Sequence, residues 1–267
     1  MTKKPSLLSS LSVFLYRFLS VGIVVVVPLS IPCTVVVEGL SVSTAVSTAV
    51  STAMPTLAVR LATNQDDASA IATILNEAYR VGEKGILVDT AEVPLERATV
   101  EEVEDMVAKK KLSLLLSSSP TAATDESQND SMDRNNSDSA STIIGCVKTE
   151  IPVNDDEPNV GEWGCLALAK EHQSKGYAKQ LVRAAEKRIW EHGCTVCQLE
   201  LLAPTNWKHQ HKERLRQWYT RLGYDLQHSN DYDASTMRLP EGSVLGDRFV
   251  LATDGDFTCY RKARGMD

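Results

Sequence analysis

Apolar and polar positions alternate along LAVRLA (57–62), the spacing of a half-buried strand. The period then changes: Ile71, Ile74, Leu75 and Ala78 recur three and four residues apart and predict a helix over 66–78. Thr99-Val-Glu-Glu102 has the spacing of a capping box and stands ahead of Val103, Met106 and Val107. A second helix is therefore predicted to run to Lys109–Lys111, cations that suit its carbonyl end. LSLLL (112–116) reads as a strand, and TIIGCVKTEI (142–151) and EWGCLALA (162–169) as two more, joined as a hairpin.

In the carboxyl half, Ala178, Leu181, Val182, Ala185 and Ile189 share one face of a helix predicted over 175–192, with Gly193 as its stop. TVCQLELL (195–202) is the next strand, 210–222 the next helix with Gly223 as stop, and then come YDLQ, RFVLAT (248–253) and FTCYRK (257–262) as strands. Strand, helix, strand, helix, strand implies a right-handed crossover and a mixed sheet covered by helices, which makes the class α/β or α+β.

Two stretches fall outside this pattern. Residues 1–56 carry Lys3, Lys4 and Arg17 ahead of the uncharged run Phe18–Val37, followed by VSTA three times (42–53). The run has the length of a membrane span, but Pro28 and Pro32 interrupt it, and it exceeds the ~7–15 residues of a signal-peptide core. Three readings stay open: an anchor through 18–37, an organelle-targeting leader, or a tract outside the functional protein with Met54 as the working start. Residues 117–142 have almost nothing to bury and hold five acidic residues against Arg134, so they read as a disordered insertion between two strands. The folded domain is thus expected over 57–264.

The net charge of −7 excludes the basic excess of a nucleic-acid binder, and six scattered cysteines suit a reducing compartment, cytoplasmic or inside an organelle. Cys194-Thr-Val-Cys197 lacks a second pair and reads as structural; no metal site is expected. Lys208, Lys212, Arg214, Arg216 and Arg221 read as a solvated helix face, and His209 and His211 as surface. No HExxH, GxSxG, GxxxxGK[ST] or GxGxxG occurs.

One junction carries chemistry. The strand 162–169 turns through Gln173-Ser-Lys-Gly176-Tyr-Ala178 into a helix, whose first amides are unpaired and converge as an anion site. Gly176 and Ala178 leave the backbone bare enough for a diphosphate, and Lys175 and Lys179 add positive charge.

EWGCLALAKEHQSKGYAKQLVRAAE (162–186) resembles the acyl-CoA-binding segment of the GNAT superfamily of N-acetyltransferases, a strand followed by Gln/Arg-x-x-Gly-x-Gly/Ala that Gln173, Gly176 and Ala178 match. LRQWYTRLGYDL (215–226) resembles that family's later helix, an aromatic-Tyr-x-x-x-Gly-Phe/Tyr unit, and VRLATNQDDASAIATILNEAYR is similar to its first strand and helix. Family members often carry Asn seven residues before the tyrosine; Lys212 stands there, and Asn206 lies thirteen before it.

The resemblance implies a mixed, mostly antiparallel central sheet flanked by helices, and transfer of an acetyl group from acetyl-CoA directly to a primary amine, small-molecule or peptide. It implies that the backbone of Leu166, Ala167 and Leu168 holds the pantetheine arm as an added strand and polarises the thioester oxygen. Gln173, Ser174, Lys175, Gly176, Tyr177, Ala178 and Lys179 form the phosphate loop, and Tyr219 is the general acid for the departing thiolate. An amine protonated at neutral pH needs a base, for which Glu162 and Glu200 are candidates. The alternative reading is a non-catalytic CoA-binding or regulatory module of the same fold. The acceptor stays open, with 227–247 expected to shape its pocket.

Overall fold

The computed structural model describes residues 56–118, 141–226 and 236–265. The leader readings, the body of the acidic insertion and part of the 227–247 segment lie outside these residues.

Ten strands and four helices follow one another among the described residues. β1 (Thr56–Leu61) leads to α1 (Ala68–Gly82), whose amide end is capped by the Asp67 carboxylate accepting from the Ala70 N–H at 3.1 Å. α2 (Val100–Ala108) starts on the capping box expected of it: Thr99 accepts from the Glu102 N–H, and Glu102 accepts from the Thr99 N–H. β2 (Leu112–Ser118), β3 (Ser141–Glu150) and β4 (Val160–Leu168) form an antiparallel meander with β1, so Ser117, Ser118, Ser141 and Thr142 belong to strands, not to the insertion.

α3 (Ala178–Glu191) crosses from β4 to β5 (Val196–Pro204), and α4 (Gln210–Arg221) follows. β6 (Asp225–Leu226) and β7 (Thr236–Leu239) both pair with the long last strand β10 (Gly255–Ala263). The sheet order is β1-β2-β3-β4-β5-β10-β6, and β4/β5 is its parallel pair. The central sheet is mixed and mostly antiparallel, flanked by helices, as the resemblance implied. RFVLAT departs from expectation. Only Phe249–Val250 (β9) is extended, and it pairs with β8 (Val244–Leu245) in a separate hairpin.

Each sheet face carries its own apolar core. Ile71, Leu75 and Tyr79 of α1 and Val103 of α2 cover one; Leu181, Val182 and Ile189 of α3 with Leu215 and Tyr219 of α4 cover the other. β4 is buried along its whole length because both layers press on it. Gly161 lets α3 seat there: a Cβ at this position would stand 2.5 Å from Ile189 Cγ2. A satisfied polar chain also crosses the second core. Trp163 Nε1 donates to Tyr224 Oη at 2.6 Å, Tyr224 Oη donates to Glu186 at 2.8 Å, and Lys262 Nζ reaches Glu186 at 3.3 Å.

Candidate functional site

β4 and β5 pair only over Val160–Glu162 and Val196–Gln198. Past that point β4 continues to Leu168 and β5 to Pro204 without pairing to each other, so the strands diverge and the β5-facing edge of β4 leaves backbone groups free of ladder partners. The other edge of β4 is taken by β3. An extended, amide-rich ligand can lie along the free edge as an additional strand.

A bulge aims that edge. Cys165 has φ 46°, in the left-handed region, and the β3/β4 register shifts beside it. Side-chain alternation slips by one: Trp163 and Leu166, three apart, pack into the α3/α4 core, while Cys165 and Ala167 face the α1/α2 core. The sequence shows no sign of this slip, because strand periodicity alone would put Trp163 and Cys165 on one face.

At the end of β4 the chain makes a short 3₁₀ turn, Lys170–His172, and Gln173 folds back so that its Nε2 donates to the Leu168 carbonyl at 2.9 Å. Ser174 (φ 63°) and Gly176 (φ 79°) are both left-handed, so α3 begins at Ala178, three residues later than the apolar spacing suggested. The amides of Lys175, Gly176, Tyr177 and Ala178 donate to no backbone carbonyl, while the next two close on Gly176 and Tyr177. A Cβ on Gly176 would meet no protein atom within 4 Å, so glycine is required there by its backbone angle and the cradle is open on that side. Lys175 and Lys179 are exposed beside it. Convergent amides, a helix dipole and two lysines suit a pyrophosphate.

Tyr219 projects from α4 into the second core, edge-on to Trp163 of β4 (6.0 Å, 79°) and 5.8 Å from Tyr260. Tyr224 meets Trp163 in nearly the same way (5.8 Å, 78°), and the two tyrosines differ in their hydroxyls. Tyr224 Oη is bonded on several sides; Tyr219 Oη is fully buried with no hydrogen-bond partner in the protein. Burial, reinforced by the Tyr260 hydroxyl and the Glu83 carboxylate, holds the Tyr219 proton well above the ordinary phenol range, so the group is a donor.

The two carboxylates expected as bases are buried, not solvated at an edge: Glu162 is 4% exposed and Glu200 2%. Gln198 Nε2 donates to Glu162 at 2.7 Å. Alternation along β5 sets Gln198 and Glu200 on the face opposite Cys197, Leu199 and Leu201, so the structure gathers Glu162 and Glu200 on one side of the sheet and packs the Tyr219 ring on the other.

Four further residues were not singled out in the sequence as site residues. Lys212, expected on a solvated face, is buried and ion-paired at 2.5 Å with Glu83, which follows α1. Glu83 Oε2, Tyr79 Oη and Arg97 Nε are buried without hydrogen-bond partners in the protein, as Tyr219 Oη is. Tyr79, Arg97 and Glu83 lie close enough to feel one another's charge, and Tyr219 feels that of Glu83, so these atoms form one buried polar cluster. The one signal in the sequence was Lys212 itself, seven residues before Tyr219 and so on the same helix face. His211 is also half-buried, and burial with nearby cations pushes its pKa down to about 3, so it is not a free surface imidazole.

Residues 123–224 match the model of the acetyltransferase (GNAT) family. Among solved structures, a protein from Acinetobacter baylyi provisionally named an acetyltransferase is similar, at TM-score 0.50 and 14% identity, over 80% of this chain and 97% of its own. The PaiA N-acetyltransferase from Thermoplasma acidophilum, solved with coenzyme A, is similar over 78% and 99% at 15% identity and TM-score 0.46. A GNAT acetyltransferase from Streptococcus pneumoniae gives the same shares, identity and score. At these identities the likeness is one of fold. Comparison with curated proteins gives no match. No helix among the described residues is long and apolar enough to cross a membrane.

Proposed function

We propose that this chain, whose residues 123–224 match the GNAT acetyltransferase family, transfers an acetyl group from acetyl-CoA directly to a primary amine. The observation that carries the reading is order along the chain: the edge of β4 unpaired by β5 is followed, after the short 170–172 turn, by four amides at 175–178 that donate to no backbone carbonyl. Pantetheine is an amide-bearing chain that ends in a pyrophosphate, and the two features lie in that order along the backbone.

In this reading Leu166–Leu168 hold the pantetheine by backbone hydrogen bonds, and an N–H at the bulge polarises the thioester oxygen. Gln173 and Ser174 shape the phosphate loop, Lys175–Ala178 supply its amides, and Lys179 adds charge. The acyl carbon–nitrogen bond forms as the carbon–sulfur bond breaks. One proton leaves the amine for Glu162 or Glu200, directly or through water, and one reaches the thiolate from Tyr219. Lys212, which stands where family members often carry Asn, has its ammonium held by Glu83.

The test is thiol release. Full-length protein with acetyl-CoA should free CoA thiol only when a primary amine is present. CoA binding without amine-dependent release across a broad panel would leave a binding module in place of an enzyme.

A further inference from the structure

On the sheet face that carries α1 and α2, a cleft of about 480 Å³ opens between α2 and β3–β4 and reaches Cys165 at the bulge. Its charges are largely matched. Glu102 takes Arg248 at 2.6 Å, Asp105 takes Lys109 at 2.7 Å, and Glu150 takes both Lys148 and Lys111. Arg97 is different. Among the described residues no carboxylate stands within ion-pair distance of it, and Glu83, whose field it feels, is already bound to Lys212. Its Nη2 donates to Cys165 Sγ at 3.4 Å, and its guanidinium is pinned over the rings of Tyr79 (5.1 Å) and Phe249 (5.4 Å). Arg248 lies over the same Phe249 ring at 5.1 Å, and the Nε of each arginine is buried without a partner. A buried guanidinium N–H that meets no acceptor is costly.

We infer that this cleft receives the acceptor, and that Arg97, supported by Arg248, binds a carboxylate on it, so the acceptor is an amino-acid-type amine. The inference rests on the acetyl-transfer reading above. A guanidinium offers a fixed fork of donors that matches a carboxylate. Arg97 touches the side chain of Cys165, the residue immediately before Leu166, where the thioester oxygen is placed. A carboxylate held by Arg97 therefore brings an amine only a few bonds away to the acyl carbon. A polyamine would instead set an ammonium group against an unneutralised guanidinium.

The test pairs amino acids with their own carboxamides, glycine with glycinamide and L-phenylalanine with L-phenylalaninamide, and adds spermidine, with CoA-thiol release by the full-length protein as readout. The carboxamide amine loses its proton more readily, so chemistry alone favours the carboxamides. The expected result is the reverse, kcat/KM at least tenfold higher for the acids, and Arg97→Met should raise KM for the acids about tenfold while leaving the Kd for CoA unchanged. Carboxamides or spermidine turning over as fast as the acids would overturn this inference and leave acetyl transfer standing. Failure to bind CoA, or binding without release from any amine, would overturn the transfer reading and this inference with it.

Discussion

The Lys212 ammonium stands 2.5 Å from the Glu83 carboxylate, with 1% and 0% of the two side chains exposed. It joins the start of α4 to the end of α1. Burial raises the pKa of Glu83 and lowers that of Lys212, and the mutual attraction opposes both shifts. Removing one partner leaves a buried charge alone. Lys212→Met should therefore cost about 3–5 kcal/mol in urea unfolding, and the double variant with Glu83→Leu should recover most of it. Additive losses in the double variant would show that the two groups are not coupled.

Tyr219→Phe separates structure from chemistry. The hydroxyl is buried and bonds to nothing in the protein, so deleting it should leave stability within about 0.5 kcal/mol of the parent or raise it slightly. Loss of a general acid should slow turnover by about 10²-fold, with CoA affinity unchanged. Wild-type turnover in the variant would remove Tyr219 from the reaction.

Stability should fall on the acid side in two stages. His211 is held neutral in the fold with its pKa pushed down to about 3, so below about 6.5 the unfolded chain binds the extra proton and stability drops as pH falls. Asp66, bonded to Arg60, sits at about 2 in the fold; its contribution is present above the ordinary carboxylate value and fades as pH falls from about 4 toward 2. Arg60 is largely exposed, which limits this second contribution to about 1 kcal/mol. Urea unfolding at pH 7, 5 and 4 should show the first loss in the parent and a flatter profile in His211→Gln. The same slope in both would assign the loss to other groups.

How far the sequence disclosed this arrangement depends on whether the determinants were local. The α2 capping box, the apolar face of α3 and the glycine stops are written within a few residues, and the structure follows them. α3 starts late because Ser174 and Gly176 are left-handed, a backbone property that apolar spacing does not encode. RFVLAT shrank to two paired residues because its partner is a neighbouring hairpin strand, not the main sheet. Lys212 read as solvated because its partner lies 129 residues away. The 173–178 turn was legible as a turn for the same reason that the orphaned cluster of Tyr79, Glu83, Arg97 and Tyr219 was not: one is contiguous in the chain, the other assembled from α1 and its C-cap, the loop before α2, and α4.

Calorimetric titration of coenzyme A into the full-length protein bears most directly on the β4 edge and its phosphate turn. The arrangement calls for saturable binding at one site, weakened at least tenfold by Gly176→Val, which forces a branched side chain onto a left-handed residue and into the open cradle. No heat with the parent protein, or equal affinity in the variant, would contradict it.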